Sequence, residues 1–565
     1  MNVRQGHEGT VPSWTRVTSR PRERGVLSRR QRSTWVAAIG ALVLTAGSLV
    51  ASASGASKSS TTTTLVPSTF LGPNGVESSA IIAENEKAGS KAWRFTGDRA
   101  PGVIEGFAGL NYAADGQVLP LYISSTTPTY RVEAFRMGYY HALGARLIWT
   151  SPVETGFVQA ACPLTPGINM VSCDNWLRPL EVDLTSAFVP GDYLFKLIGS
   201  GNQQSYIPFT IWDPNSAATY LMVARTLTEQ GWNDFGGYDY YVGEGPCAAG
   251  VPTYPQCNRA RVVSFDRPYA DGDGASDFLG NEFPLVYWAE ENGLDITYVT
   301  DVTLTADPSV MYDHSVIMSP GHDETWTNAE RVGALTAVEL GVNVIFFGAA
   351  AVLRHSRLQS SPLGSDREEV DYRDSSEDPL NGVGNAMQVT GNTWSSFPSS
   401  WSETILTGQG YSGYGPLTTT FPFVVFDSSS WLFKGTGLKD GSSIPGVIKS
   451  DIDHLDLDAA TPSDLQVLGH SPLPIDDVTT GQGAWDGYTY SDATYWTDPT
   501  SGAGVFDSGT VNWVNAIESC PGDGVCPAPL IQKITGNLLR LFGQGPAGTL
   551  EPSVNNLATV NPTGS

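Results

Sequence analysis

The sequence has few basic side chains for its length. Its 565 residues include 32 Lys and Arg against 58 Asp and Glu, and the formal net charge is −26 at pH 7. A surface this acidic repels the phosphates of nucleic acids and the headgroups of anionic lipids. The composition therefore argues against a nucleic-acid-binding protein, and we expect no nucleic-acid partner.

Several catalytic motifs are missing. There is no Gly-x-Ser-x-Gly elbow with a partner histidine, and no glycine-rich phosphate loop after a first strand. No cysteine stands in a strand-to-helix turn, where a thiol-dependent amidotransferase carries its nucleophile. These absences set aside three common hydrolase and nucleotide-binding mechanisms.

Cysteine is scarce, and no Cys-x-x-Cys spacing occurs. The six cysteines form three neighbouring pairs along the chain: Cys162/Cys173, Cys247/Cys257 and Cys520/Cys526. In an oxidising compartment such pairs predict local disulfides. A zinc site is the alternative, and the missing Cys-x-x-Cys spacing disfavours it.

The only long apolar run lies near the N-terminus. Arginines between Arg20 and Arg32 precede an apolar stretch at 35–50, and small residues follow it. This order predicts a signal peptide over residues 1–56, cleaved after Ala53 or Ala56, and a secreted or extracytoplasmic protein. An uncleaved membrane anchor is the alternative.

The remaining chain divides into regions that differ in composition and in hydrophobic pattern. Residues 57–74 are rich in Ser and Thr and predict a linker, and 546–565 predict a disordered tail. Residues 75–214 alternate polar and apolar side chains between Gly/Pro turns, which predicts an all-β, immunoglobulin-like sandwich. From 215 to 545, short apolar runs alternate with helix-like segments at 278–292, 327–340 and 530–543, which predicts an α/β domain with a mostly parallel sheet.

Ligands bind beyond the carboxyl ends of the strands in such a sheet. That rule selects four loops: Glu229–Asn233, Asp301–Leu304, Gly321–Glu324 and Gly348–Ala351.

The sharpest local signal is the segment 319–326, which follows an apolar strand and precedes a helix. Within it, His322 is a candidate ligand or general base, and Glu324 could bind a metal through oxygen. Asp323 points the other way in an extended chain and could instead cap the next helix. The alternative is a capped turn with a solvated histidine.

Other candidates are weaker on their own. Asp301 also ends a strand and is a candidate catalytic carboxylate, although Thr-Asp is common in turns. Tyr269 could be a phenolate ligand, or it could simply pack beside an Asp266–Arg267 turn. An aromatic cluster could line a pocket, although core packing is the commoner role: Trp232, Phe235, Tyr238, Tyr240 and Tyr241.

Taken together, seven segments resemble the large (β) subunit of N,N-dimethylformamidase and its exported bacterial relatives, over roughly residues 100 to 543. The matching segments are 135–140, 144–146, 261–269, 319–324, 346–349, 435–438 and 505–510.

The resemblance implies a β-sandwich followed by a glutamine-amidotransferase-like α/β domain. It also implies an iron held by two tyrosines and one glutamate, with activated water cleaving an amide. On this basis Glu324 matches the metal glutamate, His322 is its neighbour, and Tyr269 is the candidate for one tyrosine. A metal would lower the pKa of bound water and polarise the carbonyl.

The sequence differs from these relatives at several positions. Trp232 stands where relatives often carry tyrosine, Thr325 stands where they have tyrosine, Ala350 replaces an asparagine, and Asp451 replaces a glutamate. An indole cannot ligate a metal, so the resemblance implies an altered pocket.

Two functions follow as expectations. The first is an exported metal-dependent hydrolase acting on an amide or related C–N bond, with His322, Glu324 and Asp301 catalytic, and Glu324 and Tyr269 on iron. The alternative is a non-catalytic secreted binding protein with a decayed site. The substrate, whether a small molecule or a cell-surface polymer, and the oligomeric state stay open.

Overall fold

The computed structural model describes residues 68–560, except for residues 98, 100, 246–256, 457–458, 475–477, 479–487 and 519–526. The predicted signal peptide and most of the predicted linker lie outside these residues. Within the described part of the chain, no helix is both long and apolar enough to cross a bilayer.

Twelve of the described strands lie before residue 212: β1 Thr69–Leu71, β2 Val76–Ser78, β3 Ile104–Ala108, β4 Val118–Ser125, β5 Thr129–Met137, β6 Ala145–Thr150, β7 Glu154–Thr155, β8 Leu164–Thr165, β9 Met170–Val171, β10 Leu180–Asp183, β11 Gly191–Gly199 and β12 Gln204–Ile211. Strands β5, β11 and β12 lie in the region 75–214, where the alternation of polar and apolar side chains predicted an all-β domain.

These strands pair antiparallel in two main sheets. One has the order β10-β4-β3 and the other β12-β11-β5-β6, with β7 on β5. Their alternating apolar side chains share a core that includes Leu121, Val132, Phe195 and Phe209. A disulfide joins Cys162 to Cys173, as predicted. The two other predicted pairs involve Cys247, Cys520 and Cys526, which lie outside the described residues.

Fifteen further strands are described beyond residue 212: β13 Tyr220–Ala224, β14 Val262–Ser264, β15 Ile296–Thr300, β16 Val316–His322, β17 Thr325–Thr327, β18 Asn343–Ala349, β19 Arg354–Ser361, β20 Gly364–Val370, β21 Gly410–Tyr414, β22 Phe421–Val424, β23 Ser443–Ile448, β24 Asp451–His454, β25 Gln466–Pro474, β26 Tyr488–Thr497 and β27 Gly504–Asp507.

The largest sheet has seven strands in the order β15-β13-β16-β18-β27-β26-β25. Pairing is parallel from β15 to β27 and antiparallel between β27, β26 and β25. Strands β13, β16 and β18 are almost wholly buried, because their apolar runs face protein on both sides. Strand β16 therefore ends in the middle of the parallel part.

The α-helices of the described residues are short: α1 Ser79–Asn85, α2 Thr226–Gly231, α3 Phe278–Asn281, α4 Phe283–Glu291, α5 Asp301–Ala306, α6 Asn328–Glu339, α7 Thr404–Thr407, α8 Trp513–Glu518, α9 Ala528–Phe542 and α10 Leu557–Val560. The segments predicted as helical correspond to α3 and α4, to α6 and to α9. Helix α10 lies in the stretch predicted as a disordered tail.

The predicted fold class, a glutamine-amidotransferase-like α/β domain after an immunoglobulin-like sandwich, is wrong. Among the described residues strand predominates over helix, which accounts for only about 20%, and the described strands are divided among eight sheets, most of them small. A parallel sheet needs helical crossovers. After β18 the chain instead forms antiparallel pairs: β19 with β20, β21 with β24, β22 with β23, and β25 with β26.

Candidate functional site

Strand β16 places the start of the segment 319–326, the sharpest local signal in the sequence, at the edge of the sheet. It pairs in parallel with β13 and β18, and its last residue, His322, lies opposite Ala349. The chain then passes through Asp323 and Glu324 into β17. Helix α6 follows, and the Thr327 side chain accepts a hydrogen bond from the Glu330 N–H as its N-cap. His322 and Glu324 are therefore fixed by regular structure on both sides.

Glu324 is buried and has a hydrogen-bond donor on each carboxylate oxygen. Its Oε2 accepts from the Trp232 indole Nε1–H at 2.9 Å and from the Tyr241 hydroxyl at 2.5 Å. Its Oε1 accepts from Arg354 Nε at 2.9 Å. The three donors come from α2's C-terminal end, the loop after it and β19, so tertiary structure assembles them around one carboxylate.

These partners keep Glu324 ionised. Burial by itself would raise the pKa of its carboxyl, but the charges of Arg354, His322 and Arg373 and the hydrogen bond from Tyr241 lower that pKa to about 2. Opposite charges and hydrogen bonds to the charged form stabilise a carboxylate even when it is removed from water. The Glu324 carboxyl therefore stays ionised throughout the physiological pH range.

His322 lies beside this carboxylate. Its Nε2 is 3.6 Å from Glu324 Oε2, and 14% of its side chain is exposed. Its backbone carbonyl accepts a hydrogen bond from Arg225 Nη1 at 2.8 Å. The imidazole is thus oriented by a charged neighbour and still reachable from solvent, which is the arrangement a general base needs.

An aromatic stack covers the same carboxylate. The Trp232 and Tyr241 rings are parallel, with centroids 3.6 Å apart, and the Arg373 guanidinium lies 4.2 Å from the Tyr241 centroid. The His322 ring is tilted against Trp232 at 5.7 Å. Trp232 is 43% exposed although its indole N–H is fixed by Glu324. The site therefore presents a rigid, half-exposed indole beside an imidazole.

A further tyrosine lies at the edge of the site. The Tyr411 hydroxyl hydrogen-bonds to Asp451, and its pKa is raised by burial first and then by the charges of Asp451 and Glu324. Tyr411 therefore stays a neutral hydroxyl rather than a phenolate.

Asp323 does not share the site of its neighbours. It is buried and accepts a hydrogen bond from Ser319 Oγ at 2.7 Å, and burial raises its pKa to about 6. The side-chain cap of α6 is Thr327, not Asp323.

Asp301 and Tyr269 do not join Glu324. The Asp301 carboxylate is fully buried and accepts from the N–H groups of Leu227 and Val302 at 2.7 Å each. Tyr269 hydrogen-bonds to Gln230 and lines a cavity beside α2 whose lining does not include Glu324. The structure therefore brings His322 and Glu324 together and leaves the other two candidates elsewhere.

Sequence reasoning missed Tyr241 and Arg354 as partners of Glu324. In the sequence, Tyr241 stands out only as a member of the aromatic cluster, and it lies in a loop without hydrophobic periodicity. It is 83 residues before Glu324, while Arg354 is 30 residues after it. The cluster of aromatics directly after α2 was the one signal that could have pointed to Tyr241.

The residues present do not fit the iron site that the resemblance implies. Trp232 Nε1–H can only donate, and it occupies Glu324 Oε2 where a cation would have to bind. Arg354 places a positive charge on the other oxygen.

A family model described as "N,N-dimethylformamidase beta subunit-like, C-terminal" matches residues 131–524 of this chain. No curated protein matches the sequence. Among solved structures, the chain has a weak similarity to a Paenibacillus sp. cycloisomaltooligosaccharide glucanotransferase complexed with cycloisomaltoheptaose. The two are 9% identical over 70% of this chain and 67% of the other, with a TM-score of 0.16.

Proposed function

This chain belongs to the N,N-dimethylformamidase beta subunit-like family, because the match to residues 131–524 covers more than half of the chain, and we propose that its Glu324 site binds a small amide-bearing molecule without metal-dependent hydrolysis. The observation that carries this proposal is the hydrogen bond from the Trp232 indole to Glu324 Oε2 at 2.9 Å. A metal glutamate needs free lone pairs, and here three of the four lone-pair sites of the carboxylate accept hydrogen bonds from the protein.

The exposed indole supports a binding role. One face of Trp232 is covered by Tyr241, and the side chain is still 43% exposed. A planar amide can stack on the open part of an indole, and the neighbouring His322 ring can hydrogen-bond to its polar atoms. Export through the N-terminal signal is part of the same proposal, and it would present this site outside the cytoplasm.

Metal-independent hydrolysis of an amide or related C–N bond is a second candidate function. It is favoured by the 3.6 Å separation of His322 Nε2 and Glu324 Oε2, because a carboxylate at that distance can orient an imidazole that takes a proton from water. In that case His322 is the general base, and Glu324 holds the imidazole and stabilises its charged form.

Metal analysis after incubation with ferrous iron tests the first proposal. We expect the wild type to hold no more iron or zinc than Glu324→Gln. Trp232→Tyr should gain iron, because it restores the oxygen ligand that the relatives carry, whereas Trp232→Phe, which has neither N–H nor O–H, should not. The proposal fails if the wild type holds one metal per chain that Glu324→Gln loses.

Titration with acetamide separates binding from hydrolysis. Calorimetry should show saturable binding by the wild type, weakened about tenfold in His322→Gln because a hydrogen bond to the ligand is altered. An ammonia assay of the same samples should stay at the blank. Ammonia release that disappears in His322→Gln would favour the second candidate, and no saturable binding by the wild type would contradict both.

A further inference from the structure

A groove lies beside the C-terminal half of helix α6. Its volume is about 440 Å³, which is within the range of ligand-binding pockets. Helix α6, the loop 460–464 and the end of strand β26 form its walls. None of the described residues that contact Glu324 lines it, so the groove is a feature separate from the Glu324 site.

The floor of the groove is apolar. It is formed by four side chains: Leu335, Val338, Ile405 and Trp496. Two further apolar side chains of the α6 region are exposed to solvent, Val332 at 44% and Leu340 at 62%. The apolar surface of this helix therefore extends beyond the groove, which favours a partner larger than a single small molecule.

Hydrogen bonds between neighbouring segments fix the shape of the groove. Four side chains donate to backbone carbonyls across its walls: Trp496 to Leu406 at 3.0 Å, Thr404 to Ala460 at 2.6 Å, Asn555 to Ser463 at 2.7 Å and Ser501 to Val338 at 2.6 Å. A partner therefore meets a preformed surface, and less conformational freedom is lost when it binds.

The rim of the groove is acidic. It carries the carboxylates of Glu339, Asp464 and Asp498. Among the described residues, none of the three forms an ion pair. Glu339 is also the last residue of α6, and that turn contains no basic side chain. Because the C-terminal end of a helix carries the negative pole of its dipole, the carboxylate and the helix both make this end of the groove negative.

Basic side chains are missing from the segments that form the walls. Residues 332–353 and 451–532 contain no lysine or arginine. Arg331 precedes Glu339 by eight residues, which is about 12 Å along the helix axis and exceeds the screening length of about 8 Å at physiological salt. It is buried, and it donates to the carbonyls of Trp401 and Ser402. The charge of the rim is therefore left for a partner to balance.

From this juxtaposition of a preformed apolar floor and an unbalanced acidic rim, we propose that the groove docks a segment of a partner protein that presents a lysine or arginine between aliphatic side chains. The aliphatic side chains pack on the floor, and the stem of the basic residue lies along it while the charged end reaches the rim. An acidic segment is repelled by the same carboxylates. The groove is separate from Glu324, so this docking does not depend on the function proposed above.

Calorimetric titration with two short peptides tests the docking. We expect saturable heat when acetyl-Leu-Lys-Leu-amide is added to the wild type, and at least about fivefold weaker binding of the neutral acetyl-Leu-Gln-Leu-amide. Added sodium chloride should weaken binding of the lysine peptide only, because salt screens its contact with the rim. Dilution heat alone with the lysine peptide, or equal affinity of the two peptides, overturns the proposal.

Two charge-reversal variants then assign the site. Glu339→Lys places a positive charge on the rim, and we expect at least about tenfold weaker binding of the lysine peptide. Glu291→Lys is the matched control, because Glu291 is also the exposed last residue of a helix, α4, but does not line the groove. It should change the affinity less than about twofold. Equal effects of both variants, with circular dichroism showing both folded, overturn the assignment.

A second copy of this chain is the other occupant that the experiment can detect. Analytical ultracentrifugation of the wild type should show no association that depends on the groove. Self-association that Glu339→Lys abolishes and Glu291→Lys preserves would place a second copy on this surface, and would overturn docking of a different partner.

Discussion

At the residue scale, Glu324 accepts hydrogen bonds from three donors that are remote in sequence, Trp232, Tyr241 and Arg354. A buried carboxylate is ordinarily pushed toward its neutral form, yet the pKa of Glu324 falls to about 2 because Arg354, His322 and Arg373 supply positive charge around it. The same donors that stabilise the anion also take its lone pairs. Stabilisation by protein donors and coordination of a metal therefore compete for the same atoms.

A second buried acid shows the opposite behaviour and gives a pH prediction. Asp507 on β27 is fully buried, and burial raises the pKa of its carboxyl to about 7 despite a hydrogen bond from the Gly509 N–H at 2.9 Å. In the unfolded chain this pKa is about 3.9. Between these values the unfolded state loses its proton while the folded state keeps it, so stability is present at low pH and lost as pH rises toward 7.

Replacing Asp507 should remove this loss. We expect the free energy of unfolding of Asp507→Asn to fall less steeply than that of the wild type between pH 4 and pH 7, by up to about 1.4 kcal/mol per pH unit. Urea unfolding at several pH values measures the slope. Asp115→Asn, at an exposed position, should reproduce the wild-type slope, and a parallel curve for Asp507→Asn would contradict the prediction.

Residue roles were only partly predictable. The His-x-Glu pair could be identified because it follows an apolar strand directly, and the backbone fixes both side chains at one sheet edge. Tyr269 was selected from order and approximate spacing, and the structure instead puts Tyr241 on Glu324. Nothing local distinguishes two loop tyrosines, since only the folded loop decides which hydroxyl reaches the carboxylate.

At the element scale, helix α9 shows how well hydrophobic periodicity predicts a helix. Residues 530–543 predicted a closing amphipathic helix, and the helix spans Ala528–Phe542. Its apolar face is buried in the largest core, while Lys533 on the opposite face is exposed. A helix with a clear 3.6-residue pattern is determined by its own sequence, because its apolar face must be buried whatever element it packs against.

The buried face of α9 gives a stability prediction. Leu538 is fully buried, and Leu538→Ala should lower the free energy of unfolding by about 3 kcal/mol through lost burial and a residual cavity. Urea denaturation followed by circular dichroism measures the change. Lys533→Ala in the same helix should stay within about 0.5 kcal/mol of the wild type. Similar losses in both variants would show that α9 does not pack as described.

The arrangement of elements was less predictable than the elements themselves. Strands β13, β15, β16 and β18 form the parallel run that their apolar sequences suggested. The sequence after β18 lacks the strong periodicity that separates a crossover helix from a hairpin strand. It forms antiparallel pairs, so the predicted fold class was wrong even though many of its local elements were present.

At the scale of the whole molecule, the acidic composition and the predicted N-terminal signal lead to one expectation about location. When the full chain is produced in a bacterial host, the protein recovered outside the cytoplasm should begin at Ser54 or Ser57, because cleavage follows Ala53 or Ala56. Mass spectrometry of the intact protein measures this. Deleting residues 35–50 should retain the chain in the cell, and a membrane-bound product that still begins at Met1 would support the uncleaved anchor.

The sequence by itself determined what depends on neighbours along the chain. It was enough for the strands of the parallel run, the longer helices, the Cys162–Cys173 disulfide and the position of His322 and Glu324 at a strand end, because periodicity and spacing act over a few residues. Only the tertiary structure decided the fold class, the indole, hydroxyl and guanidinium on Glu324, and the separation of Asp301 and Tyr269 from it. Those outcomes depend on contacts between residues 30 to 92 positions apart, and no local pattern records which distant side chains will meet.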